Sequence, residues 1–544
     1  MRRLNLSMPS FATRVLARLA ALITVCVVHG VAFAATLPAA PTTFDTTYAA
    51  PTGATVKVAA GSDLQAALDK AQLGDTIVLQ AGATFTGPFR LPNKTSGSGW
   101  IYVVSSNLSN LPPPGTRVAP TNASNMPKIV APNGQSALTT VATSHHFRFA
   151  GIEFAPASSA SMIYTLVAIG NNDVSPATLP NHIVFDRCYV HGDPAGNDRR
   201  GIEMDGAHVA VVDSYISNFQ ETQADSQGLW AYNTTGPLKI VDNYIEAATE
   251  NVLFGGADSH SAALVPADIE IRNNQLFKPL SLIGGAYPLK NLLEFKAARR
   301  VLVSGNTLQN NPQAAQSGIA VVITVRNQGG NAPWSVITDL AIIGNTISNV
   351  GGGFGILGQD YEHPSQLTER VLIRNNIVVM TALNGAANRA FQMSWGGSDF
   401  TIDHNTIVNE PATTGNLMVA DKQTGAKVNN FTFTNNLVTP RKYGFGGVGT
   451  IEGTASLNGQ FSNWVFSKNV IAAVESPGNY PAGNFFPTDV AAVRFMSYAG
   501  GNYALAAGSP YKGAGTDGKD IGADLSAAPA VAIVPNPPGN VVVK

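Results

Sequence analysis

The chain has 544 residues, of which 44% are hydrophobic and 13% charged, with 53 Gly and 33 Pro. This composition excludes an intrinsically disordered chain, which would be poorer in apolar residues. Lys and Arg number 34 against 35 Asp and Glu, for a net charge of −1. No basic stripe or polybasic segment indicates a nucleic-acid or membrane-surface partner.

Residues 1–34 have the pattern of a signal peptide. Basic residues precede the apolar run 19–33, and the small-residue sequence "AFA" ends at Ala34. The run is short for a bilayer span, and no later segment reaches about 18 apolar residues. We therefore expect a secreted or periplasmic protein with no membrane contact after cleavage. Cleavage leaves Cys188 alone, so no internal disulfide can form.

An N-terminal linker, 35–54, is predicted to lead into a capping segment. The stretch "SDLQAALDKAQLGDTIVLQAGATFTG" (62–87) predicts a short amphipathic helix, a turn and a first strand. A solenoid needs such a cap to cover its open apolar end. The stretch resembles the N-terminal start of the pectate-lyase-like β-helix superfamily.

A strand–turn–strand repeat dominates the chain after about residue 145. Segments such as "KIVDNYI" (239–245), "VLIRNNIV" (371–378) and "FTFTNNLV" (431–438) share a β-branched run, a polar residue and an apolar pair. The aligned polar positions, 29 to 39 residues apart, are Ser214, Asn243, Asn274, Asn306, Asn345, Asn376, Asn405, Asn436 and Asn469. Cys188 occupies the same position one repeat earlier and is expected to be a small buried thiol.

These spacings exclude hairpins and, with no helical pattern between strands, βαβ units. One β-helix coil takes on the order of 20–25 residues plus loops, which fits. We expect Asn to adopt a left-handed bend and to bond the next coil through its amide. The prediction is an all-β, single right-handed parallel β-helix over 55–526. It ends in a closing segment, 502–525, and a Pro-rich tail, 527–544.

A β-helix binds ligands along an outer sheet face, where side chains of successive coils form columns. The strand after each Asn turn can be aligned, with apolar residues inside and alternate residues outside. One predicted outward column is Asp205, Tyr232, Gly255, Lys296, Arg326, Gln359 and Ser394. The column beside it is Glu203, Trp230, Leu253, Glu294, Thr324, Leu357 and Gln392. Trp230 and Tyr232, if exposed, would suit stacking on sugar rings.

The stretch "NLLEFKAARRVLVSGNTLQNN" (291–311), followed by "VVITVRNQ" (321–328), is similar to the alginate lyase and chondroitinase B family of β-helix polysaccharide lyases. The resemblance implies that Lys296 is the general base, that Arg326 assists at the leaving side, and that Glu294 is a calcium ligand. Where that family has a His after the arginine, this chain has Asn327.

β-Elimination removes a weakly acidic proton next to a uronate carboxylate, so it needs a neutralising cation and a base within ~3 Å. Positive charge from Arg326 or Ca²⁺ would depress the pKa of a basic lysine towards neutrality. Calcium requires about six to eight oxygens, of which Glu294 and Glu250 would supply part.

Glycoside hydrolysis is an alternative, with Glu203 and Asp205 as the two carboxyl groups. They lie two residues apart on one strand, about 6.6 Å between backbone positions. No paired Asp-Asp motif of the polygalacturonase kind accompanies them. The polar loop "ILGQDYEHPSQ" (356–366) adds Gln359 and Asp360 as candidate substrate contacts.

A non-catalytic glycan-binding or adhesive β-helix is the remaining alternative, because fold does not imply function. A catalytic Lys296–Arg326 column would lie open in a groove, whereas a scaffold would pair these charges. Within these alternatives the sequence favours a monomeric lyase acting on an acidic polysaccharide.

Overall fold

The computed structural model describes residues 35–157, 162–170, 172–385, 389–410, 415–423 and 425–524. The predicted signal peptide, 1–34, and Pro-rich tail, 527–544, lie outside these residues. Three long parallel sheets wind into a β-helix, so the predicted fold class is confirmed. Each coil contributes one strand to sheet A, then one to sheet C, then one to sheet B.

Sheet A has fourteen strands. They are β1 (Thr55–Val58), β2 (Thr76–Leu79), β5 (Ile101–Ser105), β8 (His145–Ala150), β11 (Asn181–Asp186), β14 (Ala207–Val212), β17 (Leu238–Val241), β20 (Ala267–Arg272), β23 (Ala298–Ser304), β26 (Ile337–Ile343), β29 (Thr368–Arg374), β32 (Ser398–Asp403), β35 (Val428–Thr434) and β38 (Phe461–Ser467).

Sheet C has thirteen strands and follows the Asn turns. They are β3 (Thr84–Thr86), β6 (Lys128–Ala131), β9 (Glu153–Pro156), β12 (Tyr189–His191), β15 (Tyr215–Phe219), β18 (Tyr244–Ala247), β21 (Gln275–Phe277), β24 (Thr307–Asn311), β27 (Thr346–Val350), β30 (Ile377–Thr381), β33 (Thr406–Glu410), β36 (Leu437–Val438) and β39 (Val470–Ile471).

Sheet B has twelve strands and carries the predicted site. They are β4 (Phe89–Leu91), β7 (Leu138–Thr140), β10 (Val167–Ile169), β13 (Arg200–Met204), β16 (Gln227–Ala231), β19 (Glu250–Phe254), β22 (Asn291–Phe295), β25 (Ile319–Thr324), β28 (Gly352–Leu357), β31 (Arg389–Ser394), β34 (Asn416–Asp421) and β37 (Tyr443–Gly447).

The remaining elements lie near the ends of the solenoid and in its loops. The α-helices are α1 (Leu64–Lys70) and α2 (Thr454–Gln460), and β40 (Phe495–Ser497) pairs antiparallel with β41 (Asn502–Leu505). Short 3-10 turns span Leu108–Asn110, Pro120–Asn125, Pro176–Thr178, Ala262–Leu264, Leu280–Leu282, Pro477–Asn479 and Ala491–Val493.

Helix α1 is the predicted N-terminal cap. Asp63 begins it by accepting a hydrogen bond from Ala66 N (2.9 Å). Leu64 and Leu68, one turn apart on the same face, are buried in the main core. They cover apolar side chains that the first coil would otherwise leave in water.

The core fills the space between the three sheets with stacked side chains from equivalent positions of successive coils. On sheet B, Phe254 stacks on Phe295 with centroids 5.6 Å apart, and Phe354 on Phe391 at 5.3 Å. Burying each such ring contributes about 1.5–3 kcal/mol. Cys188 is also fully buried, as expected, and burial raises the pKa of its thiol to about 12.

The predicted asparagine ladder is present at the turns between sheets A and C. Asn345 Oδ1 accepts from the backbone N–H and the amide of Asn306, both at 2.9 Å, and its own Nδ2 donates to Val303 O. The same pattern continues from Asn243 to Asn469. The left-handed bend, however, falls on the residue before each ladder Asn, such as Asn375 at φ 56°.

The predicted linker, 35–54, has no regular secondary structure and lies along sheet A. Its backbone N–H groups at Thr36, Ala39 and Thr42 donate to carboxylates on three different coils, Asp399, Asp339 and Asp268. This segment therefore connects coils that are distant in sequence.

Replacing Asn345 with Ala should destabilise the fold by about 2–4 kcal/mol, because two buried donors of Asn306 lose their acceptor. Denaturant unfolding measures this loss. Asn110→Ala, at an exposed 3-10 turn, should change stability by less than about 0.5 kcal/mol. Equal effects of the two substitutions would contradict a stabilising role for the ladder.

Candidate functional site on the outer face of sheet B

A polar band crosses the outer face of sheet B at the first residues of four neighbouring strands. Arg200, Gln227, Glu250 and Asn291 are successive register partners. Arg200 Nε donates to Gln227 Oε1 and Gln227 Nε2 donates to Glu250 Oε2, both at 2.8 Å. Arg200, Gln227 and Glu250 are thus joined by hydrogen bonds, whereas Asn291 donates to Glu294.

The predicted register of the outward columns is correct over β13–β22 and between β25 and β28. It is wrong between β22 and β25 and between β28 and β31, where Leu357 pairs with Ser394 and not with Gln392. Glu203, Trp230, Leu253 and Glu294 are register partners, as expected. Glu294 then pairs with Val322, not with Thr324, and Thr324 pairs with Leu357. The slip is two residues, so the inside and outside faces were still assigned correctly.

Glu294 and Lys296 both leave the coil interior, but they differ in access to solvent. The Glu294 side chain is fully covered, and its Oε2 accepts from Asn291 Nδ2 at 3.0 Å. Lys296, just after β22, keeps 17% of its side chain exposed, with Nζ 3.8 Å from Glu294 Oε1. Only Lys296 of the two could therefore touch a ligand.

Arg326 lies on the coil next to Lys296, past the end of β25. Its backbone N–H donates to Lys296 O at 2.9 Å. Its guanidinium donates to Asp360 Oδ1 (2.8 Å) and to the Tyr361 hydroxyl (3.0 Å), and lies 4.4 Å from the Tyr361 ring centre. Burial acts to lower the pKa of Arg326, but these hydrogen bonds outweigh it and raise the value.

Gln359 and Asp360 follow β28, in the loop beside that of Arg326. Asp360 is buried and also accepts from the backbone N–H of Asn327 (2.9 Å) and of Glu362. Although burial alone would raise the pKa of Asp360, these bonds and Arg326 lower it. Asp360 thus holds two loops together, whereas Gln359 is exposed.

The expectation that Trp230 and Tyr232 are exposed is wrong. Their relative exposures are 7% and 8%. The rings stack at 4.8 Å, the Arg200 guanidinium covers the Trp230 ring at 3.7 Å, and Trp230 Nε1 donates to Gly255 O. Packing under Arg200 satisfies the indole, which leaves little of it for a sugar ring.

Glu203 and Asp205 form a carboxyl pair in hydrogen-bond contact, next to Arg200. Asp205 is buried and accepts from the backbone N–H of Tyr232 (2.8 Å) and Asn233 (3.0 Å). Burial, then the charge of Glu203, raises the pKa of Asp205 well above its ordinary value, and burial raises that of Glu203 to about 6. Carboxyls in contact are closer than the roughly 5–5.5 Å of retaining glycosidases.

Glu250 and Glu294 form a second buried acidic pair in the polar band. Burial, then the charge of Glu294, raises the pKa of Glu250 to about 8. Lys290 Nζ lies 3.7 Å from Glu250 Oε1 but only 2.5 Å from Asp225 Oδ2. Because the ammonium lies closer to Asp225, it opposes this rise in the pKa of Glu250 only in part.

Beneath this pair lies Lys278, which the sequence analysis did not single out. Its fully buried ammonium donates to the carbonyls of Ala247, Ala248 and Thr249 and to Asn251 Oδ1, at 2.8–3.1 Å. Burial lowers the pKa of Lys278 to about 7. In the sequence, Lys278 is visible only as a lysine directly after a strand, a pattern that is too common to indicate a buried site.

The residues predicted to bind calcium fit a hard cation in their donor chemistry. Within the described ranges, Glu250 Oε1, Glu294 Oε1 and Asn291 Oδ1 are buried and lack hydrogen-bond partners. Across the described ranges, no group of three or more His, Cys, Asp or Glu side chains lies close enough together to hold a metal ion. These three oxygens are fewer than the six to eight that Ca²⁺ takes, so other oxygens would have to complete the shell.

An aromatic groove, which sequence reasoning missed, continues from Arg326 towards the C-terminal coils. Tyr361 is 49% exposed and stacks on Trp395 at 5.5 Å. Together with Arg389 and Gln392 they line a cavity of about 460 Å³. A neighbouring cavity of about 500 Å³ contains Arg441, Lys442, Tyr443, Glu452 and Glu475. Trp395, within the aligned stretch "FQMSWG", was the available signal.

Comparison with known proteins finds similar solved structures but no matching family. Solved structures similar to this chain include pectate lyase Pel9A (13% identity, 87% of this chain and 96% of that one, TM-score 0.33). Others are the PL6 family alginate lyase AlyGC (13%, 86% and 57%, 0.47) and an alginate lyase from Paenibacillus sp. str. FPU-7 (16%, 67% and 97%, 0.28). No protein-family model matches the sequence, and a search of curated proteins gives no match.

No helix among the described residues combines the length and the apolar character needed to span a bilayer.

Asp205→Asn should become more stable relative to the parent protein as pH rises. In the folded protein, the Glu203–Asp205 pair keeps a proton that the unfolded chain loses near pH 3.9. The stability of the parent protein therefore falls as pH rises from about 4 through the raised pKa values of the folded pair, of which that of Glu203 is about 6. The slope is at most about 1.4 kcal/mol per pH unit for one retained proton.

Denaturant unfolding from pH 4 to 8 measures this dependence. Asp69→Asn, at an exposed position of α1, provides the matched control and should run parallel to the parent. A constant difference between Asp205→Asn and the parent over this range would rule out a proton shared by Glu203 and Asp205.

Proposed function

We propose that the protein binds an acidic, uronate-containing polysaccharide along the outer face of sheet B and cleaves it by β-elimination. The observation that carries this proposal is the position of Lys296 and Arg326 on adjoining coils, linked by the Arg326 N–H to Lys296 O bond. Arg326 lies over the ring of Tyr361, which lines a cavity together with Trp395 and Arg389.

In this reaction Lys296 Nζ, as the general base, takes the proton next to the uronate carboxylate. The C–H electron pair forms the new C=C bond as the C–O bond to the leaving sugar breaks, and that oxygen takes up a proton. Arg326 provides positive charge at the leaving side. Because Asp360 and Tyr361 hold its guanidinium, Arg326 is oriented before substrate arrives.

The proposal includes a calcium ion held by Glu250, Asn291 and Glu294. Bound calcium would supply positive charge beside Lys296 and balance the two carboxylates. Since the Glu250 and Glu294 side chains have no exposed surface, such an ion would lie beneath the groove. Glu294 would position Lys296 for the substrate, because its Oε1 lies 3.8 Å from Lys296 Nζ.

A non-catalytic glycan-binding β-helix is the second candidate. The ion pair of Arg326 with Asp360 favours it, because a scaffold needs its charges paired and a catalytic arginine must still reach substrate. Hydrolysis at Glu203 and Asp205 has less support, since the two carboxyls contact each other and Asp205 is buried.

Lys296→Ala should lower the rate of uronate-polymer cleavage by about 10²–10⁴-fold, because it removes the general base. Arg326→Ala should also reduce it. The measurement is the ultraviolet absorbance of unsaturated uronate products from alginate, pectate and chondroitin. Lys57→Ala, an exposed lysine on β1 of sheet A, serves as the control and should retain full activity.

No unsaturated product from any uronate polymer would reject the lyase mechanism. Retained binding of those polymers would then favour the non-catalytic candidate. New reducing ends from neutral glycans, abolished in Glu203→Gln, would instead favour hydrolysis.

Calcium should raise the melting temperature of the purified protein, and a chelator should reverse this. At a calcium concentration 100 times Kd the stabilisation is about 2.7 kcal/mol. Glu294→Gln should remove the response, whereas Glu362→Gln, whose side chain is 59% exposed, should keep it. A melting temperature that calcium leaves unchanged would exclude this ion.

A further inference from the structure

The cavity of about 460 Å³ is lined in part by Trp395, whose backbone is left-handed. This residue has φ 59°, a left-handed conformation that bulky side chains seldom adopt. Such strain persists where the surrounding structure imposes it, and it clusters at ligand sites. The indole of Trp395 packs against the ring of Tyr361, with centroids 5.5 Å apart.

Arg389 gives the same cavity a cationic group. Its Nη1 donates to Gln392 Oε1 at 2.6 Å. Within the part of the chain that the structure describes, Arg389 forms no ion pair, unlike Arg326 or Arg370. Its charge is therefore available to an incoming anion. Asp421, on the opposite wall, is hydrogen-bonded to the side chain and backbone of Gln423.

Side-chain contacts link this cavity to the proposed cleavage position. Arg326 lies over Tyr361, and Tyr361 stacks on Trp395, so three coils are joined by direct contacts. Strands β22 and β31 are three strand spacings apart, about 14 Å. A polymer whose bond is cleaved at Lys296 would thus extend along the groove to reach Trp395.

We propose that Tyr361, Arg389, Gln392 and Trp395 form a binding subsite for an acidic sugar residue, with its ring on Trp395 and its carboxylate on Arg389. The assignment rests on the proposed function for its substrate class. It adds that the substrate extends towards the C-terminal coils and that Arg389 binds a second carboxylate of the polymer. An aromatic face binds the apolar side of a sugar ring, and a guanidinium binds a carboxylate.

Binding without turnover tests the subsite. Isothermal titration calorimetry in the Lys296→Ala background would compare uronate oligosaccharides with neutral ones of equal length. Adding Arg389→Gln should weaken the acidic ligand by about tenfold or more and leave neutral ligands unchanged. Adding Trp395→Gly should weaken both by about tenfold, because it removes the stacking surface.

Trp395→Gly is chosen because glycine adopts φ 59° without strain, so the variant should melt no lower than its parent. Trp395→Ala provides a second variant with the same expected loss of binding. The controls lie on sheet A: Trp464→Phe, and Arg374→Gln, whose partner is Asp403. Both should bind like the Lys296→Ala parent.

The outcomes separate this subsite from the lyase proposal. Unchanged affinity in Trp395→Gly and Arg389→Gln would overturn the subsite, even if the native protein cleaves uronates. Loss of affinity in both would support it, even if the native protein releases no unsaturated product. Equal loss for acidic and neutral ligands in Arg389→Gln would overturn the carboxylate assignment.

Discussion

The parallel register between successive coils is the constraint on which the rest of this molecule depends. A parallel ladder alone would allow a coil to slide by two residues without exchanging its inner and outer faces. The buried Asn column opposes such a slide, because each amide bonds the backbone at the same turn of neighbouring coils. Moving one coil would break these bonds within a dry environment, where unpaired amide groups are costly.

The fixed register determines what the outer face of sheet B can do. It places Arg200, Gln227, Glu250 and Asn291 in one row, and hydrogen bonds join the first three. Most charges in this band are covered, so they must be paired, hydrogen-bonded or protonated. The raised pKa values of Asp205 and Glu250 are the consequence. The band is therefore a buried polar layer, and a polymer on the outer face would not contact it directly.

In the proposed function, a ligand would be contacted by residues at the ends of the sheet B strands and in the loops that follow. Lys296 and Arg326 come just after β22 and β25, and Tyr361 lies in the loop after β28. Each of these side chains contacts the polar band or a neighbouring loop, as Arg326 contacts Asp360. A solenoid can thus position binding groups precisely enough for recognition, although it has no deep central pocket.

The sequence by itself determined the β-helix, the Asn column, the N-terminal cap and the inward and outward faces of the sheet B strands, because these follow from local periodicity. It also placed Glu203, Trp230, Leu253 and Glu294 in one column. Only the tertiary structure decided the register between β22 and β25 and between β28 and β31, since loop lengths between coils are not set by the strand pattern. It alone showed that Trp230 is covered by Arg200 and that the exposed Tyr361 ring stacks on Trp395. Exposure depends on neighbours from other coils and loops, and no local pattern encodes it.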